Sequence, residues 1–287
     1  MLLNYTPPFN FRALLNFMRL RAITGVEQVT ENSYARSFCI QQATGFFMVK
    51  NCPEHSALSL HIDTDDIRCH MAIHQRVRKM FDLDSQMSVI KTLLAEDAIL
   101  KPGLEQGEVP RLPVAFDSLE FTLRAILGQQ VSLKAARTLA NRLVQTANLR
   151  TPAEFPDGLS YFFPDLNTLL SLPLTDIGLS KIRQATIQAV LQAVAQGRIS
   201  LDANQSFEQF YEDFSRIKGI GDWTVNYVAM RGLGMKDCFP ASDLGIVKVL
   251  SAIQGEVLKA KQIRQLAEHW RPYRAYAALC LWNQYQG

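Results

Sequence analysis

The chain has 287 residues, enough for one large domain or for two to three smaller ones. Its apolar fraction of 48% is that of a globular protein and excludes intrinsic disorder. The formal net charge of +3 tolerates an anionic partner, yet no basic tail is present, so any nucleic-acid contact falls to a few placed groups. No apolar run approaches the roughly 18–20 residues that span a bilayer. The start, Met1–Pro8, lacks a basic segment followed by an apolar one. The expectation is a soluble, cytoplasmic monomer with no membrane partner.

Five scattered cysteines (Cys39, Cys52, Cys69, Cys238, Cys280) contain no Cys-x-x-Cys pair, so neither a disulfide framework nor a structural zinc site is expected. Cys69, His70 and His74 lie close in sequence, but no second ligand cluster completes a metal site, and a partly exposed helix face accounts for them. Neither a metal nor another cofactor is expected.

In chain order, Phe11, Leu14, Leu15 and Met18 form one helical face. Two β-type runs follow, Ser33–Gln41 and Phe46–Lys50, with a hairpin turn expected at Ala43-Thr44-Gly45. Ala57–Ile62 reads as a third strand. A helix is expected from about Asp65 to Phe81, entered through the cap-like Asp63-Thr64-Asp65-Asp66. This pattern suits a small antiparallel sheet with helices on one face. The Pro- and Gly-rich stretch 101–113 marks a linker or long loop. Beyond it strands give way to helical stripes. Phe116, Leu119, Leu123, Ile126 and Leu127 form one, ending at Gly128. Ser132 caps a helix running to about Thr146. A Pro- and Phe-rich loop covers Thr151–Pro164, and another helix runs from Ser180 to about Gln196. Phe207, Phe210, Phe214 and Ile217 make a further stripe, and two more helices complete the chain. The fold class is α+β: a small antiparallel sheet domain followed by an all-α body.

The segment Arg216-Ile217-Lys218-Gly219-Ile220-Gly221-Asp222-Trp223-Thr224 carries specific chemistry. One helix ends near Lys218 and a second begins at Asp222. Gly219 and Gly221 permit positive φ and close approach to the backbone. The free amides and dipole of the second helix favour an anion, such as a DNA phosphate, with the Lys218 charge beside it. A plain helix–helix connection is the competing account. Further on, Phe239-Pro240-Ala241-Ser242-Asp243-Leu244-Gly245 puts Asp243 at the start of a helix over Leu244–Ile253, where an N-cap role is the competing account.

Together these two motifs resemble the helix-hairpin-helix superfamily of DNA glycosylases, and within it the 3-methyladenine DNA glycosylase II family. Pro7-Pro8-Phe9, the helix carrying Phe17, Tyr34-Ala35-Arg36-Ser37, Arg124–Gln129, Trp270–Arg274 and Trp282 extend the likeness over nearly the whole chain. The resemblance implies an N-terminal sheet like half of the TATA-binding protein and two helical domains flanking a cleft. The corresponding segments are 1–88 for the α+β domain, 89–114 for a helix and linker joining it to the C-terminal helices, 115–235 for the helix-hairpin-helix domain, and 236–287 for the helical part with Asp243.

The same resemblance implies the site. Asp243 is the catalytic carboxylate, and Phe17, Trp223, Tyr227 and Trp282 form an aromatic base pocket. Lys218, Gly219, Ile220, Gly221 and Thr224 meet DNA, and Gln130 fills the gap left by a flipped nucleotide, where an apolar wedge is expected in close relatives. The implied partner is double-stranded DNA containing alkylated bases, with nucleoid association following from it. The implied activity is monofunctional hydrolysis of the N-glycosidic bond, releasing 3-methyladenine, 7-methylguanine and similar bases as the first step of base excision repair. Such bases are cationic, and an electron-rich ring attracts them by about 2 kcal/mol when desolvated. Relatives that also cut the strand carry a Schiff-base lysine where this chain has Trp223, and those with an iron–sulfur cluster need four cysteines after the catalytic region. The alternatives are a non-catalytic DNA-binding module and a glycosylase/lyase for oxidised bases.

Overall fold

The computed structural model describes residues 1–40 and 42–285. Among them are five strands, β1 (Leu2–Asn4), β2 (Glu27–Val29), β3 (Ser33–Ile40), β4 (Ala43–Cys52) and β5 (Ala57–Thr64). The helices are α1 (Phe11–Arg19), α2 (His70–Met80), α3 (Met87–Leu94), α4 (Ser118–Leu127), α5 (Leu133–Ala147), α6 (Leu166–Ser171), α7 (Lys181–Ala195), α8 (Phe207–Ser215), α9 (Asp222–Arg231), α10 (Leu244–Gln254), α11 (Ala260–Leu266) and α12 (Arg274–Gln284). The chain divides into two compact units, Met1–Arg78 with Thr122–Arg198, and Lys79–Phe121 with Ile199–Gly287.

The first unit is built on an antiparallel sheet in the order β1-β5-β4-β3-β2. Helix α1 forms where its periodicity predicts, capped by the Asn10 side chain, and buries Phe11, Leu14, Leu15 and Met18. Two features depart from expectation. Ala43, Thr44 and Gly45 are not a turn but the first residues of β4, paired with Ile40, Cys39 and Phe38. Gln42, with φ of 76°, lies in the connection, and Gln41 is outside the described residues. Gly45 is required for another reason: a Cβ there would overlap the Asp63 carbonyl and press on the Phe38 ring. Glycine inside a strand marks such close backbone approach as readily as it marks a turn. The second departure is that Asp63 and Thr64 finish β5, and α2 starts only at His70, after a single turn capped by Asp66.

Strand β3 is buried along nearly its whole length, which a sheet open on one side does not allow. The second face is covered by the Pro- and Phe-rich loop. Leu159 packs on Ala35 and Phe46, Phe155 meets Phe46 edge-on at 5.2 Å, and Ser37 donates to the Tyr161 carbonyl at 2.6 Å. Half-buried Arg124 closes this unit with a 3.0 Å ion pair to Glu27, whose other oxygen accepts from the Tyr34 hydroxyl.

The second unit is helical, and its arrangement fixes α12. Loop 101–113 is packed, with Val109, Arg111 and Leu112 buried. Gly103 lies directly against α12: a Cβ there would overlap the Cys280 carbonyl, while Asn283 donates to the Gly103 carbonyl at 3.1 Å. One turn earlier on α12, the buried Tyr276 hydroxyl donates to Asp82 Oδ2 at 3.0 Å and shares Ser85 with it. Burial pushes both the Asp82 carboxyl and the Tyr276 phenol up from their ordinary values. Among the described residues, no helix is long and apolar enough to cross a membrane.

The contact at Gly103 leaves no room for a methyl group, and the opposing atom is backbone. Gly103→Ala is expected to cost about 3 kcal/mol of stability through overpacking, read as a lower urea midpoint with an unchanged slope.

Candidate active site

The hairpin follows α8, which is capped by Ser206 and buries Phe210 and Phe214. Its turn exposes Lys218, Gly219 and Gly221 and buries Ile220. Gly219 has φ of +94°, the left-handed conformation that favours glycine. Gly221 is different from expectation: its φ of −100° and ψ of 172° are extended, open to any residue. Nor does packing demand glycine, because a Cβ built there meets nothing within 4 Å. What Gly221 leaves clear is the space in front of the α9 N-terminus, which has no side-chain cap. Thr224, expected to meet DNA, is only 2% exposed and lies inside the unit. Ile220 is buried as well.

Successive turns of α9 put Trp223, Tyr227 and Arg231 on one side of the helix. The Trp223 and Tyr227 rings stack at 4.8 Å, and Tyr227 meets Trp282 of α12 edge-on at 6.1 Å. Phe121 adds a fourth ring, 5.2 Å from Tyr227. Buried Arg231 sits with its guanidinium 5.3 Å from the Trp282 ring.

Asp243 is the N-cap of α10, so its capping account is correct. It is also the point where the aromatic cluster ends. Oδ1 accepts from the amides of Gly245 at 2.9 Å and Ile246 at 3.2 Å, and from the Trp282 indole at 2.8 Å. Oδ2 accepts from the Trp223 indole at 2.8 Å. A half-buried carboxylate with these donors is held in one orientation, and the donors are unequally shared. Oδ1 is saturated, whereas Oδ2 has one donor among the described residues and keeps a lone pair for something else.

The remaining carboxylates nearby have other duties. Asp237 pairs with Arg274 Nε at 2.7 Å and Arg271 at 3.0 Å, and Arg274 also reaches the Asp237 carbonyl and Glu268. This network fastens the start of α12 to the loop before Asp243. Asp222 accepts from Tyr211, Asn226, Ser242 and Arg264. Sequence patterns missed both networks, because their partners come from elements far apart in the chain. Trp270, fully buried and bonded to Asp97 through its indole at 2.8 Å, belongs to the core.

Phe17 and Gln130 belong to the first unit. Phe17 is half-buried, with the Arg21 guanidinium 3.8 Å from its ring centre. Gln130 is exposed with φ of +54°, and the preceding carbonyl of Gln129 accepts from Arg183 at 2.6 Å. Among the described residues no three His, Cys, Asp or Glu side chains gather to hold a metal ion.

A family model described as the AlkA N-terminal domain matches residues 1–117. DNA-3-methyladenine glycosylase 2 of Escherichia coli is 30% identical over 283 residues, covering 98% of this chain and 95% of that protein. The chain belongs to the DNA-3-methyladenine glycosylase 2 family. A probable bifunctional transcriptional activator/DNA repair enzyme AlkA from Mycobacterium tuberculosis is 32% identical over 96% of this chain. The chain spans only 55% of that longer relative. The fold is that of a 3-methyladenine DNA glycosylase from Archaeoglobus fulgidus, with a TM-score of 0.83 at 21% identity over 98% of this chain and 97% of that one.

Within this family architecture, Arg274 is the most deeply buried cation tying α12 to the Asp243 loop. Arg274→Met leaves Asp237 and Glu268 short of a partner and is expected to cost about 2 kcal/mol. Arg274→Lys, lacking the planar fork, should recover little of it in chemical denaturation.

Proposed function

We propose that the chain is a monofunctional DNA glycosylase that hydrolyses the N-glycosidic bond of alkylated bases in double-stranded DNA, opening base excision repair. The observation that carries this reading is the Asp243 carboxylate, fixed by two indoles and two amides at the edge of an aromatic cluster. Such a group serves a reaction in which positive charge develops on a sugar. Departure of the base leaves an oxocarbenium-like deoxyribose, which a preorganised carboxylate stabilises electrostatically. Oδ2, with its remaining lone pair, is the oxygen suited to face that sugar or to orient the incoming water. A cationic alkylated base leaves as a neutral molecule, so no acid is needed to protonate it.

Reaching the bond requires turning the nucleotide out of the helix, at a cost of a few kcal/mol in stacking. The proposed grip on DNA is a phosphate at the α9 N-terminus, beside Lys218 and in front of the cleared space at Gly221. Gln130, exposed on its turn, is the proposed filler of the vacated gap. Trp223, Tyr227 and Trp282, whose rings meet in the second unit, are the proposed base pocket. The segments 1–88, 89–114, 115–235 and 236–287 are the proposed domain-level division of these roles, with the protein acting as a monomer in the cytoplasm.

Strand cleavage is not part of the proposal. The side chain before Thr224 is an indole bonded to Asp243, where a lyase needs a nucleophilic amine. Incubation with alkylated duplex DNA tests both halves. Wild-type protein should release methylated purines without nicking the strand, and borohydride should trap no covalent complex. Asp243→Asn should still fold, at a cost of about 2 kcal/mol because its amide N–H2 faces the Trp223 N–H, and lose about 99% or more of base release. Wild-type rates in that variant would remove Asp243 from the chemistry.

Charge selection is assigned to Trp223 ahead of Trp282. The Arg231 guanidinium already engages the Trp282 ring, so a second cation on that ring meets its repulsion. Each indole donates one hydrogen bond to Asp243, so replacing either removes the same number of donors. Release of cationic relative to neutral lesions should therefore fall further in Trp223→Ala than in Trp282→Ala. Equal ratios for the two variants would count against this assignment.

A further inference from the structure

The first residue of α9, Asp222, stands next to Gly221, at the turn where a phosphate is proposed to bind. An acidic residue in a first helical turn interacts well with the helix dipole, and that alone could account for it. Its partners go further. Oδ1 accepts from the Tyr211 hydroxyl of α8 at 3.1 Å, from Asn226 Nδ2 at 3.3 Å and from Arg264 of α11 at 3.1 Å. Oδ2 accepts from the Ser242 hydroxyl at 3.1 Å. Asn226 also donates to the Asp222 carbonyl at 2.9 Å, while its own Oδ1 accepts from the Phe239 amide at 2.9 Å. Asp222 and Asn226 thus hold the two ends of the short turn Phe239–Asp243, one end at Phe239 and the other at Ser242, the residue before Asp243. The turn itself is closed by the Asp243 amide on the Pro240 carbonyl at 2.9 Å.

We infer that Asp222 is a positioning residue with two opposed effects: it orients the Asp243 turn through Ser242, and its negative charge weakens the grip of the hairpin on a DNA phosphate. This rests on the reading of Asp243 as the catalytic carboxylate and of the hairpin as a phosphate site. The tension has a physical origin. A carboxylate one residue from the anion site repels the phosphate, and Arg264 screens it only in part, because that side chain is half exposed. The orienting effect needs a hydrogen-bond partner for Ser242 at this position, whereas the repulsion needs a charge. Asparagine, with its oxygen towards Arg264, keeps the Ser242 contact by donating from Nδ2 to the hydroxyl oxygen, and carries no charge.

Steady-state and single-turnover base release from one alkylated duplex separates these effects. Asp222→Ala, which removes both acceptor and charge, should lower kcat about tenfold and also lower KM about threefold. Asp222→Asn should show the same fall in KM with kcat restored to within about twofold of wild type. Ser242→Ala, at an exposed position, should lower kcat about threefold with KM and melting temperature unchanged. Arg264→Met should move KM the opposite way, upward, by leaving the carboxylate uncompensated. A residue that only stabilises the fold would not lower KM, nor be rescued by the neutral isostere. Wild-type kcat in both Asp222→Ala and Ser242→Ala overturns the orienting role, and an unchanged KM in Asp222→Asn overturns the electrostatic one. Should Asp222→Ala fail to fold, Asp222→Asn and Ser242→Ala decide the two roles separately. Asp243→Asn serves as the control: activity in it defeats the underlying reading, whereas an inactive Asp243→Asn beside wild-type-like Asp222 and Ser242 variants defeats this inference alone.

Discussion

The grip of two indoles and two amides on the Asp243 carboxylate is the constraint around which the second unit is arranged. Its donors come from α9, α10 and α12, and hydrogen bonds weaken steeply once their geometry opens. Three helices must therefore keep their places to within a fraction of an ångström. Each has its own fastening. Helix α10 is capped by the carboxylate itself. Helix α12 is pinned at three levels, by Arg274 to Asp237, by Tyr276 to Asp82, and by backbone contact at Gly103. Helix α9 is tied through Asp222 and Asn226 to the turn that presents Asp243. A side chain supported in this way by rigid elements loses little further freedom on binding, which is what preorganisation requires.

On the proposed reading, the side chain before Thr224 decides between two chemistries. An amine there would lie beside the carboxylate as a nucleophile and an ion-pair partner. The Trp223 indole instead donates a single neutral hydrogen bond to Oδ2 and extends a flat face over Tyr227. On the proposed reading, the carboxylate then acts without an amine beside it. The same ring then serves the pocket and the carboxylate at once, so its loss cannot be assigned to either role from activity alone.

Much of this was legible in the sequence, and the failures share a cause. Helix α1, the Ser132 cap, a helix beginning near Ser180, and the start of α10 at Leu244 followed from periodicity and cap chemistry, which act over a few residues. Asp243 was singled out by the resemblance of its motif, and its place as the N-cap of α10 by cap chemistry alone. Gly45 was misread as a turn because its cause, the close passage of β5, lies about twenty residues away in the chain, in the terms of motif spacing. Strands β1 and β2, three residues each, are too short to show alternation and exist through pairing with β5 and β3. The indole bonds to Asp243 were hidden for the same reason. Aromatic residues at helical spacing announce a core, and nothing local says that an N–H points at a carboxylate. The one available signal was general: a tryptophan drawn inward needs a partner for its N–H.

A single carboxylate also limits what this site can do well. Among the described residues, the donors to Asp243 are two indoles and two backbone amides, none of which can pass a proton to a departing base. A leaving group that is already cationic needs no such help, whereas a neutral base must take a proton from water or leave as an anion. On the proposed reading, the chemistry available at Asp243 therefore favours weakened glycosidic bonds before any contact with the base is considered. On that reading, base recognition acts on a bond the lesion has already loosened, so a loosely specific aromatic surface is sufficient. On this reading breadth toward alkylated purines follows from a carboxylate whose hydrogen-bond donors supply no acid, and a narrow lesion range would require contacts that the aromatic cluster does not by itself supply.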